Sequence, residues 1–157
     1  MTTELQLSHF TKTGLGAIRS VEQRWDDDYR SSFAKPRGLW VSVDGEDDWQ
    51  QWCQSEMPEW MNGVQRYRVH LAQPNNVLLL TDLWGFQDEY GRIVPDRFGS
   101  KYIDWPTVAK AYDGIIIAPY QWSCRMEMDW YYGWDCASGC IWNADAIARV
   151  EEWREAA

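Results

Sequence analysis

Basic side chains are scarce in this chain: 15 lysines and arginines stand against 24 aspartates and glutamates, for a formal net charge of −9. Binding nucleic acid along a broad surface requires clustered Lys and Arg to neutralise phosphates, so that class is excluded. A local basic pocket for a small anion is not excluded, and an acidic surface suits docking on a basic partner. Long apolar runs are lacking too. The longest aliphatic stretches, Val77-Leu78-Leu79-Leu80 and Ile115-Ile116-Ile117, fall far short of the ~20 residues a membrane helix needs. The opening Met1-Thr2-Thr3-Glu4-Leu5 has neither the basic region nor the apolar stretch of a secretion signal, and a cytoplasmic location is expected.

Several familiar chemistries are missing. No Gly-rich phosphate loop, no G-x-G-x-x-G after a strand, no G-x-S-x-G elbow and no H-E-x-x-H occurs. His9 and His70 are the only histidines, which leaves few options for a Cys–His or Ser–His pair. His70 sits within Tyr67-Arg68-Val69-His70-Leu71 and reads as structural. Cys53, Cys124, Cys136 and Cys140 are expected to be small core residues in a reducing compartment rather than disulfides. The Cys136/Cys140 spacing is one a metal could use, but no second close pair completes a zinc site.

What is abundant is apolar and aromatic. Hydrophobic residues make up 45% of 157 residues, and 12 of the residues are tryptophan. A chain of this length buries roughly two-thirds of its unfolded surface, enough for a real core. No linker, repeat or low-complexity tract divides it, so residues 1–157 are expected to form one domain. Most of the tryptophans belong in the core, with one or two left to line a pocket for a flat ring.

Strands are expected over 5–10 and 38–43 from their alternation, over 66–72 and 76–81 with a hairpin or short connection at Pro74-Asn75, and over 114–118, a wholly apolar run suited to the middle of a sheet. Segments 130–134 and 138–142 read as late strands. Residues 17–34, with the acidic run Asp26-Asp27-Asp28, read as a loop with a short helix. Trp49, Trp52, Cys53 and Met57 recur at helical spacing up to Pro58, with Glu46, Asp47 and Asp48 in the first turn. Further helices are expected from Asp82 to Tyr90, after the cap Asp104 with Pro106 in its first turn, and from Asn143 to about Trp153. A polar loop with Gly91, Pro95 and Gly99 separates the first two of these. The irregular mixture favours α+β, with a mixed, mostly antiparallel sheet and flanking helices.

Three segments carry candidate chemistry. In His9-Phe10-Thr11 an extended backbone puts His9 and Thr11 on one face and Phe10 on the other. In Lys35-Pro36-Arg37-Gly38-Leu39-Trp40-Val41-Ser42, Trp40 and Ser42 share a face. Trp134-Asp135-Cys136-Ala137-Ser138-Gly139-Cys140-Ile141-Trp142-Asn143 mixes aromatic and small residues, as expected where backbone approaches a ligand.

In order and kind these segments resemble the motifs of the ADP-ribosyltransferase superfamily, the NAD-cleaving fold of diphtheria-type toxins and poly-ADP-ribose polymerases. His9-Phe10-Thr11 looks like its His-x-Thr/Ser on a first core strand. Gly38-Leu39-Trp40-Val41-Ser42 looks like its Gly-x-Tyr-x-Ser/Thr on the next, with Trp in place of Tyr. The resemblance implies NAD as cofactor and an acceptor that is protein or nucleic acid. It implies that His9 meets the ribose hydroxyls, that Trp40 stacks on nicotinamide, and that Thr11, Arg37, Gly38 and Ser42 help to bind. A late polar group then steadies the oxocarbenium-like sugar. Asp135, Asn143 and Asp145 compete for that role, and no Gln-x-Glu is present. Losing nicotinamide leaves positive charge on ribose, so a nearby carboxylate in a preorganised pocket lowers the barrier.

Blander readings stand beside these. His9 and Trp40 could be ordinary strand residues, Asn143 a helix cap, Asp135 a turn acceptor, and Lys35 and Arg37 exposed bases rather than partners of the NAD pyrophosphate. Two other functions follow from the same residues. One is a non-enzymatic acidic inhibitor docking on a basic partner, motivated by the −9 charge and the acidic runs 26–28 and 46–48. The other is an inactive relative that binds without cleaving, favoured if Asn143 fills the third position.

Overall fold

A computed structural model describes residues 4–25, 35–94 and 99–154. Seven strands form one sheet in the order β4-β7-β8-β2-β1-β3-β9, and β5 pairs with β6 in a separate ribbon. The strands are β1 (Leu7–Thr11), β2 (Leu39–Val43), β3 (Gln65–Leu71), β4 (Val77–Leu80), β5 (Gly91–Ile93), β6 (Lys101–Ile103), β7 (Gly114–Ile117), β8 (Ser138–Ile141) and β9 (Ile147–Glu152). Only β4 and β7 run parallel; the other neighbours in the large sheet are antiparallel. The α+β class with a mostly antiparallel sheet is as expected. No helix among the described residues is long and apolar enough to cross a membrane.

The helices are α1 (Trp49–Glu56), α2 (Leu83–Tyr90), α3 (Trp105–Ala111) and α4 (Asp129–Tyr132). The first three begin at an aspartate whose carboxylate accepts an orphan backbone N–H: Asp48 from Gln51 at 3.0 Å, Asp82 from Gly85 at 3.0 Å, and Asp104 from Thr107 at 3.3 Å. Glu46 and Asp47 therefore precede α1 rather than forming its first turn. Pro106 stands in the first turn of α3, as expected.

The connection at Pro74-Asn75 is not a hairpin, because β3 and β4 are not neighbours in the sheet. Flat, the sheet would hold them five strand spacings apart, about 24 Å. The chain from Leu71 to Val77 spans at most about 20 Å. The sheet must curl, and it does: Val69 and Leu71 of β3 border the same groove as Val77 and Leu79 of β4.

Two late elements differ from expectation. Residues 130–134 are not a strand: α4 gives a helical turn in which Trp130 and Tyr131 are buried while Tyr132 is exposed, and Trp134, just past the cap Gly133, is buried too. Core contact at i, i+1 and i+4 is helical spacing, and the aromatic run masked it. The closing segment is strand β9 after a 3-10 turn at Ala144–Ala146. Ile147 and Val150 are three apart, which reads as a helix. A bulge between His70 and Leu71 instead shifts the register from His70↔Arg149 to Leu71↔Ile147, so both apolar residues reach one face. No helix occurs in residues 17–25; residues 26–34, with the acidic run, lie outside the described residues, as does Pro95.

Candidate functional site

The pleat decides which side chains meet. The registers Ser8↔Ser42 and Ser42↔Ser138 put these three serines on one face of β1, β2 and β8, and Phe10 and Trp40 fall on the same face two residues along. The β1–β2 ladder stops at Ser8↔Ser42. Beyond that pair β1 continues along β3 as far as Thr11, while β2 follows β8 back to Leu39. The sheet opens at this seam, and a cleft of about 280 Å³ lies against it.

Its floor comes from Ser8, Phe10, Trp40, Ser42 and Ser138. Trp49 and Trp52 of α1, with Trp60 from the following 3-10 turn, form one wall, and Trp134, Asp135 and Cys136 another. Ser42 ties floor to wall, since its Oγ accepts the Trp49 N–H at 2.9 Å. Phe10 packs on Trp49 with ring centroids 4.7 Å apart, and Trp40 meets Trp134 edge-on at 4.9 Å. The Trp134 indole nitrogen is buried with no hydrogen-bond partner among the described residues, so the indole is held by ring contacts, while the backbone carbonyls of Trp134 and Cys136 accept from the Tyr120 and Ser138 hydroxyls.

His9 borders the same cleft. By alternation it belongs to the face opposite Phe10, but its ring lies in the seam, where Nδ1–H donates to the Trp40 carbonyl at 2.6 Å. A carbonyl only accepts, so Nδ1 carries a proton, and in the neutral ring Nε2 is an acceptor. The imidazole and the indole expected to share a cavity do share one.

Asp135 is the late carboxylate of this cleft. Its Oδ1 accepts from Arg125 Nη2 at 3.1 Å. Burial pushes its carboxyl above the ordinary aspartate value, while Arg125 and Lys35 pull in the opposite direction. Lys35 places its ammonium 5.4 Å from the Trp40 ring centroid. Burial lowers its pKa, and Asp135 opposes that shift. Cys136, also on the wall, is held as a thiol by burial, with its pKa pushed up to about 12.

The remaining candidates are placed elsewhere. Asn143 caps the 3-10 turn, accepting from Asp145 N–H at 3.0 Å, and donates to Asp113 at 2.9 Å. It lies outside the cleft's lining, as do Asp145, Thr11 and Arg37. Thr11 Oγ1 accepts the Thr13 N–H. The backbone of Arg37 forms a two-way pair with the Gln23 amide, at 2.9 and 2.6 Å. Gly38 is needed for shape: its φ is +156°, and a Cβ there would lie 2.4 Å from the Ile141 carbonyl oxygen.

Three wall residues carried no signal as site residues, Trp49, Trp52 and Trp60, and Trp134 stood only as the first residue of the third candidate segment. Five tryptophans in all border the cleft, against one or two expected. Helical spacing marked Trp49 and Trp52 as core-facing, and nothing in the sequence distinguishes a core face from a cleft face. The four cysteines are buried free thiols.

Comparison of the chain with protein-family models, with curated proteins and with solved structures finds no match.

Proposed function

We propose that the seam cleft takes the nicotinamide end of NAD and breaks the nicotinamide–ribose bond, passing ADP-ribose to an acceptor or to water, in the manner of an ADP-ribosyltransferase. The observation that carries this reading is the convergence of His9, Trp40 and Asp135 on one aromatic-walled cavity. Nicotinamide in NAD is a planar pyridinium cation, and indole faces attract both flat rings and positive charge. A cavity of about 280 Å³ is at the small end for ligand pockets. It fits one ring and part of a sugar, with the rest of the dinucleotide outside.

Each residue then has a task. Trp40 stacks on the ring, and the two walls that carry Trp49, Trp52 and Trp134 exclude water from it. His9 offers Nε2 as acceptor to a ribose hydroxyl, its ring fixed by the Trp40 carbonyl. As the glycosidic bond breaks, its electron pair goes to the ring nitrogen and positive charge moves onto the sugar. The Asp135 carboxylate opposes that charge and can take the proton that the attacking nucleophile loses.

The test is release of nicotinamide from labelled NAD, alongside NAD titration followed by tryptophan fluorescence. Saturable quenching with turnover, both lost in Trp40→Ala, is the expected result. Binding without turnover would reduce the protein to a nucleotide-binding relative of the fold, and absence of binding would remove the reading altogether.

A further inference from the structure

Outside the cleft, one surface joins exposed aromatic rings to a concentration of carboxylates. The segment between β7 and α4 turns outward, leaving Trp122 60% exposed and Met126 77% exposed; Tyr132, at the end of α4, is 49% exposed. These are not loose side chains. Trp122 Nε1–H donates to Asp47 Oδ2 at 3.0 Å, and its ring meets Tyr120 edge-on at 4.8 Å. Arg125 Nη1 donates to the Tyr120 hydroxyl at 3.2 Å, and the guanidinium lies 5.5 Å from the Tyr132 ring centroid. The chain Trp122–Tyr120–Arg125–Tyr132 makes the rings one surface and already holds an arginine against an aromatic face.

The two stretches of chain that build it are one-sided in charge. No Lys or Arg occurs between Arg37 and Arg66, and between Lys110 and Arg149 Arg125 is alone. The Trp122–Asp47 bond, together with the Ala137 N–H donating to the Asp47 carbonyl at 2.8 Å, brings these two acid-rich stretches side by side. Glu46, Glu127 and Asp129 are exposed there. Asp47 and Asp135 add two more carboxylates. Arg125 is engaged by Asp135, and Lys35 belongs to the cleft beyond.

We infer that this surface docks an arginine-rich segment of a protein partner, guanidinium groups stacking on Trp122 and Tyr132 while Glu46, Glu127 and Asp129 face them. Arginine fits better than lysine, because its planar, weakly hydrated guanidinium stacks on rings as well as pairing with carboxylates. Rigid, exposed Trp and Tyr are also the side chains that dominate interface energetics at low entropic cost. Asp135 is shared with the cleft, but the inference does not need NAD chemistry, since Trp122, Tyr120, Tyr132, Glu46, Glu127 and Asp129 all lie outside the cleft's lining.

Fluorescence anisotropy with labelled nona-arginine and nona-lysine tests it, using the full chain and the variants W122A/Y132A and E127Q/D129N. Circular dichroism confirms that each variant is folded. Nona-arginine is expected to bind at least about tenfold more tightly than nona-lysine. W122A/Y132A should lose that preference and about tenfold in affinity with its charge unchanged. E127Q/D129N should weaken binding and flatten its salt dependence. Equal binding of the two peptides, or wild-type binding by W122A/Y132A, overturns the proposal. So would sedimentation showing a dimer that W122A/Y132A dissolves, or oligouridine binding that the same variant abolishes. The surface would then belong to a second copy or to a nucleic acid.

Discussion

The Nδ1–H of His9 donates to the carbonyl oxygen of Trp40 at 2.6 Å, across the point where β1 and β2 part. One bond thus fixes the orientation of the imidazole and ties it to the backbone of the residue whose indole forms the cleft floor. His9→Ala removes both the acceptor Nε2 and this tether. Nicotinamide release is expected to fall by about 10- to 100-fold. Stability should fall by roughly 1 kcal/mol, the usual worth of one hydrogen bond. Single-turnover kinetics and urea unfolding measure the two effects separately. A stability loss with unchanged turnover would make His9 purely structural.

Asp135 yields a prediction in pH. Its folded carboxyl titrates above the ordinary aspartate value because burial outweighs the pull of Arg125 and Lys35. Folding therefore favours the protonated form. The contribution to stability is fully present below the unfolded value and is lost as pH rises through the folded one. Asp135→Asn, neutral at every pH, is expected to melt at or above wild type at pH 7, with the difference vanishing below about pH 4. The side chain is 31% exposed, so solvent screening keeps the effect small. Turnover should move the other way. Loss of the carboxylate costs about 100-fold in nicotinamide release, and the wild-type rate should fall on the acid side at a pH above that of an ordinary carboxylate. Differential scanning calorimetry and a pH–rate profile read the two.

Asn143 separates the candidates for the late polar group. Its side chain caps a 3-10 turn and bonds Asp113, away from the cleft. Asn143→Ala is expected to lower stability by about 1–2 kcal/mol and to leave NAD binding and nicotinamide release at wild-type levels. A variant as stable as wild type but unable to turn over would return Asn143 to the chemistry and displace Asp135.

The strands whose side chains alternate cleanly were legible in the chain, and so were the helices opened by aspartate caps. Both signals are local. What escaped depends on distant partners. The bulge opposite His70 let Ile147 and Val150 mimic helical spacing inside β9, and the aromatic run 130–134 hid a helical turn behind strand-forming residues. For the cleft, His9 and Trp40 could be named because they stand in short motifs with distinct chemistry, and Asp135 only as one of three late polar residues in competition with Asn143 and Asp145. Trp49, Trp52 and Trp60 could not. An apolar ring gives the same pattern whether its neighbour is a core or a cavity, and only the parting of β1 from β2 makes the difference.

Gly38 tests the seam itself. It precedes β2 with φ at +156°, and an added Cβ would meet the Ile141 carbonyl oxygen at 2.4 Å and its carbon at 2.9 Å. Neither neighbour is the mobile end of a side chain: both belong to the backbone of β8, which the β2 ladder holds in place through Leu39↔Ile141. Gly38→Ala must therefore strain the glycine conformation or push β2 off β8, at a cost of roughly 3 kcal/mol. Because Trp40 lies two residues further along the displaced strand, NAD affinity should fall together with stability. Guanidinium unfolding and fluorescence titration on the same sample check both. A variant that lost stability yet bound NAD as wild type would show that the cleft floor does not depend on how β2 is seated against β8.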